Sequence, residues 1–117
     1  MLEIKDILMG ANSDSPALND FARLVAQLLP YRDLAAADMA QIILNATFDV
    51  RNHANDYAEE YPNLYNFVRK DGGKHMCQLA ASIPTILTEK ATDETSSFIQ
   101  AYQVESIRFF GEPVAYR

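Results

Sequence analysis

Apolar residues at helical spacing, bounded by a start signal and a stop signal, dominate the first third of the chain. Ser15 is suited to cap a helix N-terminus, Pro16 fits the first helical position, and Pro30 stops the run. Between them the apolar residues follow at steps of three and four: Leu18, Phe21, Leu24, Val25, Leu28 and Leu29. This pattern predicts a core helix, so a helical fold is the starting expectation.

Four shorter segments have a similar pattern: 2–8, 64–68, 76–87 and a run that begins at Thr92. Gly10 suits a left-handed C-terminal cap on the first segment, and the Gly72-Gly73 pair stops the second. Pro84 should bend or restart the third helix, because proline removes one backbone donor and clashes with the preceding turn. From Val104 the apolar spacing looks more like extended chain around a turn that Gly111 begins.

We therefore expect a mainly α fold in which residues 1–117 form a single compact helical domain of about five to six helices. A chain of 117 residues has enough material for one core and little for a second. The extended segment after Val104 leaves open a small C-terminal β-hairpin, with Pro113 keeping its strand at an edge.

The longest periodic run leads to Tyr61, where Pro62 ends it, and predicts one long helix or two joined by a kink near Thr47. Its apolar side at 100° per residue consists of Ile43, Ala46, Val50, Ala54, Tyr57 and Tyr61. The other side is a stripe of carboxylates and amides without lysine or arginine: Asp38, Asn45, Asp49, Asn52, Asp56, Glu59 and Glu60. An unbroken helix would extend this stripe over about 33 Å.

We predict that this stripe binds a partner through what we call the acidic face: Asp38, Asp49, Asn52, Asp56, Glu59 and Glu60. Acids opposite a buried side are also what an ordinary solvated helix shows. The stripe lacks the Glu-to-Lys pairs that such a helix often uses to relieve repulsion, which favours a binding role. Four more acids could enlarge the negative surface: Asp14, Asp20, Asp93 and Glu94.

The charge balance and the missing motifs narrow the function classes. Ten Lys and Arg against sixteen Asp and Glu give a net charge of −6, which disfavours direct binding to nucleic acid or to anionic membrane. His75 and Cys77 are too few for a metal site, no motif indicates a cofactor, and no apolar run could span a bilayer. One cysteine and an acidic N-terminal segment fit the cytoplasm. We therefore expect a non-enzymatic protein.

A small domain with an acidic balance, no catalytic motif and the stripe from Asp38 to Glu60 resembles the small acidic bacterial DNA-mimic proteins. The resemblance implies a cytoplasmic regulator whose acidic surface occupies the DNA-binding face of a basic protein, the histone-like nucleoid protein HU, and competes with DNA. Carboxylates that face lysines and arginines at DNA-like spacing would give fast, salt-sensitive association.

Three other interpretations stay open. An immunity or antitoxin-like protein, or a phage-encoded inhibitor, would bind one basic enzyme through an apolar-centred patch, and its affinity would survive salt better. A small enzyme with paired carboxylates would need a concave site. A helical subunit of a larger assembly would leave aromatic residues uncovered, such as Phe109, Phe110 and Tyr116.

Overall fold

The chain is helical throughout most of the residues that the structure, a computed structural model, describes: 2–30, 34–71, 75–88 and 93–110. Within these ranges lie six α-helices and one 3-10 helix: α1 (Leu2–Met9), α2 (Pro16–Leu28), α3 (Ala36–Asn52), the 3-10 helix (Ala54–Tyr57), α4 (Pro62–Asp71), α5 (Met76–Thr88) and α6 (Asp93–Phe110). The prediction of a mainly α fold with five to six helices is confirmed.

The start of α2 follows the local signals in the sequence. Ser15 has extended backbone angles, and its hydroxyl accepts a hydrogen bond from the Leu18 N–H at 3.2 Å, while Pro16 takes the first helical position. In the loop before it, the Ser13 N–H donates to the Asn19 side-chain oxygen at 2.8 Å. These bonds fix where α2 begins after the turn from α1.

Two buried charged side chains join helix ends to neighbouring helices. Lys5 of α1 is 4% exposed, and its ammonium donates to the Leu29 carbonyl at the end of α2 at 2.7 Å. Asp20 of α2 is 2% exposed, and Oδ2 accepts from the N–H groups of Asn63 and Leu64 at 2.9 and 3.1 Å. Each charge therefore meets the helix end whose dipole it complements.

One hydrophobic core joins all six α-helices of the described chain. Its largest fully buried side chains include Phe21, Met39, Ile43, Leu64, Ile83, Phe98 and Tyr102. α2 packs against α1 and α4, while α3 lies along α6. The α3–α6 contact includes a stacked pair, Phe48 and Phe109, whose ring centroids are 5.8 Å apart.

Pro84 lies inside α5 and does not restart the helix, which is continuous from Met76 to Thr88. Proline has no N–H, so the carbonyl of Ala80 four residues earlier lacks its usual helical donor. The Tyr102 hydroxyl donates to that carbonyl at 2.6 Å. A side chain of α6 therefore replaces the hydrogen bond that the proline removes.

The predicted long helix to Tyr61 is wrong, because α3 ends at Asn52. His53 leaves the helical region with φ −134° and ψ 44°, and the 3-10 helix follows. The predicted kink near Thr47 does not break the chain either, since α3 is one helix from Ala36 to Asn52. The Tyr61 hydroxyl donates to the side-chain oxygen of Gln27 on α2 at 2.9 Å, a tertiary contact that the helical pattern does not anticipate.

The prediction of extended chain from Val104 is also wrong for residues 104–110, which the structure describes. α6 continues to Phe110 and leaves Val104 61% and Ile107 49% exposed, so its apolar residues do not all face the core. No strand occurs in the described ranges. The remainder of the predicted hairpin, residues 111–116, lies outside them, as do the predicted helix start at Thr92 and the Gly72-Gly73 stop.

Candidate interaction surface

All six residues of the predicted acidic face have exposed side chains: Asp38, Asp49, Asn52, Asp56, Glu59 and Glu60. They do not form one continuous row on one helix. Asp38, Asp49 and Asn52 belong to α3. The 14 steps from Asp38 to Asn52, at a rise of ~1.5 Å each, make this part of the stripe about 21 Å long instead of the expected 33 Å. The other three follow the break at His53.

Beyond that break, the 3-10 helix turns back toward the end of α3. The Tyr57 hydroxyl donates a hydrogen bond to the Asp49 carboxylate. Burial raises the pKa of Tyr57 to about 12, with the hydrogen bond to Asp49 and the negative charges of Asp49 and Asp56 adding to the effect. Asp49, eight residues before Tyr57, and Asp56, the residue before it, therefore both lie near the same phenol.

Glu60 lies near a second phenol in the same way. Burial raises the pKa of Tyr61, and the charge of Glu60 raises it further. The rings of Tyr57 and Tyr61 are 6.4 Å apart, and Tyr61 is bonded to α2, so the turn between them is anchored to the core. We call the exposed acids of this region the acidic corner: Asp49, Asp56, Glu59 and Glu60.

Sequence reasoning missed two residues that position this corner, His53 and Tyr57. The Nδ1 atom of His53 lies 3.3 Å from Oδ1 of Asp49. Asp49, His53 and Tyr57 recur at steps of four, a spacing that puts side chains next to each other on a helix. That spacing is the available signal, but the apolar pattern places Tyr57 on the buried side of the predicted helix and gives His53 no role.

An open concavity of about 370 Å³ adjoins the corner and is lined by Arg51, Asn52, His53, Ala54, Asn55 and Asp56. Asp56 is the single carboxylate among these lining residues, so the concavity does not supply a carboxylate pair for acid–base catalysis. Arg51 is exposed and brings one cation to the edge of the acidic corner. The corner is therefore mainly, but not purely, anionic.

The additional acids that the structure describes differ in their exposure. Asp20 is buried, paired with Arg23 and bound to the start of α4, so the expectation that it adds to the negative surface is wrong. Asp14 and Asp93 are exposed, while the side chain of Glu94 lies outside the described part. Of the three acids whose side chains the structure describes, two therefore contribute surface charge.

The described ranges were also compared with the features of a metal site, a membrane span and an uncovered aromatic patch. No group of three or more His, Cys, Asp and Glu there could hold a metal ion. No helix among those residues is long and apolar enough to cross a membrane. Phe109 is half-buried against Phe48, whereas the side chains of Phe110 and Tyr116 fall outside the described residues.

Comparison with known proteins gives no match, whether with family models, with curated proteins or with solved structures. The geometry of the acidic corner is therefore what indicates the kind of partner it can bind.

Proposed function

We propose that this protein is a cytoplasmic DNA mimic whose acidic corner binds the DNA-binding surface of a basic bacterial protein, the histone-like nucleoid protein HU, and competes there with DNA. The observation that carries the proposal is the grouping of exposed acids around the end of α3, with Asp49 held by the Tyr57 hydroxyl. Asp38 would extend the same surface along α3. In this role the protein is a regulator and not an enzyme.

The fixed position of the corner supports this role in energetic terms. A side chain that is already held in place loses little entropy when a partner docks. Asp49 is held by Tyr57, and the turn that carries Glu60 is anchored through the contact of Tyr61 with α2. A carboxylate fixed as that of Asp49 is, beside an anchored turn, can present its charge at a defined place, as a phosphate does.

The distribution of basic side chains fits the proposal as well. Arg23 is paired with the buried Asp20, and Arg108 lies 3.6 Å from the buried Glu105. Arg69 and Lys70 occupy the last turn of α4, whereas the acidic corner comes just before its first residue, Pro62. Arg51 lines the concavity beside the corner, and the charge of Arg23 acts on Tyr61 next to Glu60, so we expect both arginines to limit the affinity.

Displacement of labelled duplex DNA from purified HU tests the proposal. The protein should displace the DNA at ~50 mM salt, and several times more protein should be needed at ~300 mM because salt screens charges in solvent. Direct capture of HU by the immobilised protein should show the same salt dependence. Failure to bind HU or displace DNA at low salt would contradict the proposal.

The exposed apolar residues of α6 favour a second candidate function. Val104 and Ile107 are one turn apart and 61% and 49% exposed, which gives an apolar centre of the kind found in specific protein interfaces. An immunity-type or inhibitor protein would dock its target there, and its affinity would survive high salt. Replacing both residues with serine should abolish capture of such a target from lysate at high salt, whereas HU binding through the acidic corner should be unaffected.

A further inference from the structure

His53 lies where a change in its own charge acts directly on the acidic corner. Its Nδ1 atom is 3.3 Å from Oδ1 of Asp49, and both side chains are more than half exposed. Histidine is the side chain whose ordinary pKa falls between pH ~5 and ~8. Uptake of a proton by His53 therefore converts this contact into an ion pair within the surface that the proposed function assigns to the partner.

We propose that His53 is a proton-dependent regulator of partner binding at the acidic corner, an inference that rests on the proposed function. With His53 neutral, the charge of Asp49 faces the basic partner. With His53 protonated, the imidazolium offsets that charge and also repels the partner's lysines and arginines.

Asp49 is the nearest charged partner that the structure gives His53. The charged and titratable groups around His53 on its own segment are Asp49, Arg51, Asp56 and Tyr57. α4 packs against the 3-10 helix but has its basic residues in its last turn. On α6, Glu105 is paired with Arg108 and contacts Gln41, near the opposite end of α3 from His53. Asp49 is therefore the acid whose charge the proton on His53 changes most.

The affinity for purified HU, measured at pH ~7.5 and ~5.5, tests this inference. The unchanged protein should bind about two- to fivefold more weakly at the lower pH, as expected when one exposed ion pair forms. His53→Gln should bind equally at both values, and His53→Lys, a permanent cation, should bind weakly at both. His75→Gln is the matched control: it removes the other histidine, which is exposed at the start of α5, and should keep the pH effect.

The outcomes separate the inference from the function on which it rests. Binding at pH ~7.5 that does not weaken at ~5.5, or a pH effect that persists in His53→Gln, overturns the inference alone. Absence of HU binding at both values overturns the proposed function and the inference with it. Loss of the pH effect in His53→Gln and its retention in His75→Gln would support both.

Discussion

The Tyr102 hydroxyl of α6 donates a hydrogen bond of 2.6 Å to the Ala80 carbonyl of α5, the carbonyl that Pro84 leaves without a helical donor. Tyr102 is fully buried, and its ring packs against Phe98 with centroids 5.7 Å apart. The proline that could have divided α5 is therefore accommodated by a residue 22 positions from the carbonyl in sequence.

We predict that Tyr102→Phe destabilises the protein by about 1–3 kcal/mol, because it leaves a buried carbonyl unsatisfied. In a Pro84→Ala background the new N–H of residue 84 can donate to Ala80, so the same change should cost about 1 kcal/mol less. Urea unfolding of the four proteins measures this coupling. Tyr65→Phe, a change at a half-exposed ring, should shift stability by under about 0.5 kcal/mol. Additive effects of the two main changes would contradict the assigned bond.

A second prediction concerns Asp20, which accepts hydrogen bonds from two N–H groups at the start of α4. Asp20→Ala should cost about 2–3 kcal/mol, because a buried charged acceptor of backbone donors is lost. Asp20→Asn keeps one oxygen acceptor and should cost less. Urea unfolding gives both values, with the exposed Asp14→Asn as control. Equal stability of Asp20→Ala and the unchanged protein would show that α4 does not depend on this contact.

How far the sequence could predict the fold depends on whether the stabilising contacts are local. Ser15 and Pro16 define the start of α2 through atoms within three residues, so the sequence located that helix well. α4 also begins at a proline, Pro62, but the acceptor that caps it is not local, since it is the side chain of Asp20, 43 residues before Asn63. Such a contact is visible only after the chain has folded.

The same reason explains the error in the candidate site. Ala54, Tyr57 and Tyr61 continue the apolar spacing of α3, so a helix to Tyr61 satisfied every local rule. The structure instead bonds Tyr57 to Asp49 and Tyr61 to Gln27 on α2. Exposure of these acids could be predicted from their polarity, whereas their division between α3 and the segment after His53 could not.

The sequence and the structure give opposite expectations for replacing Gly10 with alanine. The sequence suggested a left-handed cap, but the backbone of Gly10 is not in the left-handed region, and its N–H donates to the Asp6 carbonyl at 3.2 Å. A Cβ there would lie 3.6 Å from that carbonyl oxygen, an ordinary contact. Gly10→Ala should therefore stabilise the protein by about 0.4–1 kcal/mol. A lower thermal midpoint for the variant would indicate the left-handed cap after all.

The half-buried phenol of Tyr57 and the buried phenol of Tyr102 predict a loss of stability at alkaline pH. An unfolded tyrosine ionises near pH ~10, whereas the folded pKa of Tyr57 is about 12 and burial raises that of Tyr102 as well. The raised pKa values contribute fully to folding stability below pH ~10, and this contribution is lost as the pH rises through the pKa values of the folded protein. Chemical denaturation from pH ~9 to ~12 should show the fall, and Tyr57→Phe should make it shallower. Constant stability over this range would contradict the raised pKa values of both phenols.

The most direct test of the account compares two triple variants that remove the same amount of negative charge. One neutralises three acids of the acidic corner: Asp49→Asn, Asp56→Asn and Glu60→Gln. The matched control neutralises three exposed acids elsewhere: Asp6→Asn, Asp14→Asn and Asp93→Asn. Because these side chains are exposed, both variants should fold, which thermal unfolding checks.

Displacement of DNA from HU at low salt is the measurement. The corner variant should need at least about tenfold more protein than the unchanged chain, and the control about twofold at most, since charges beyond a Debye length are screened. Equal effects of the two variants would show that net charge alone drives the competition. An unchanged corner variant would contradict the claim that the acids around the end of α3 form the binding surface.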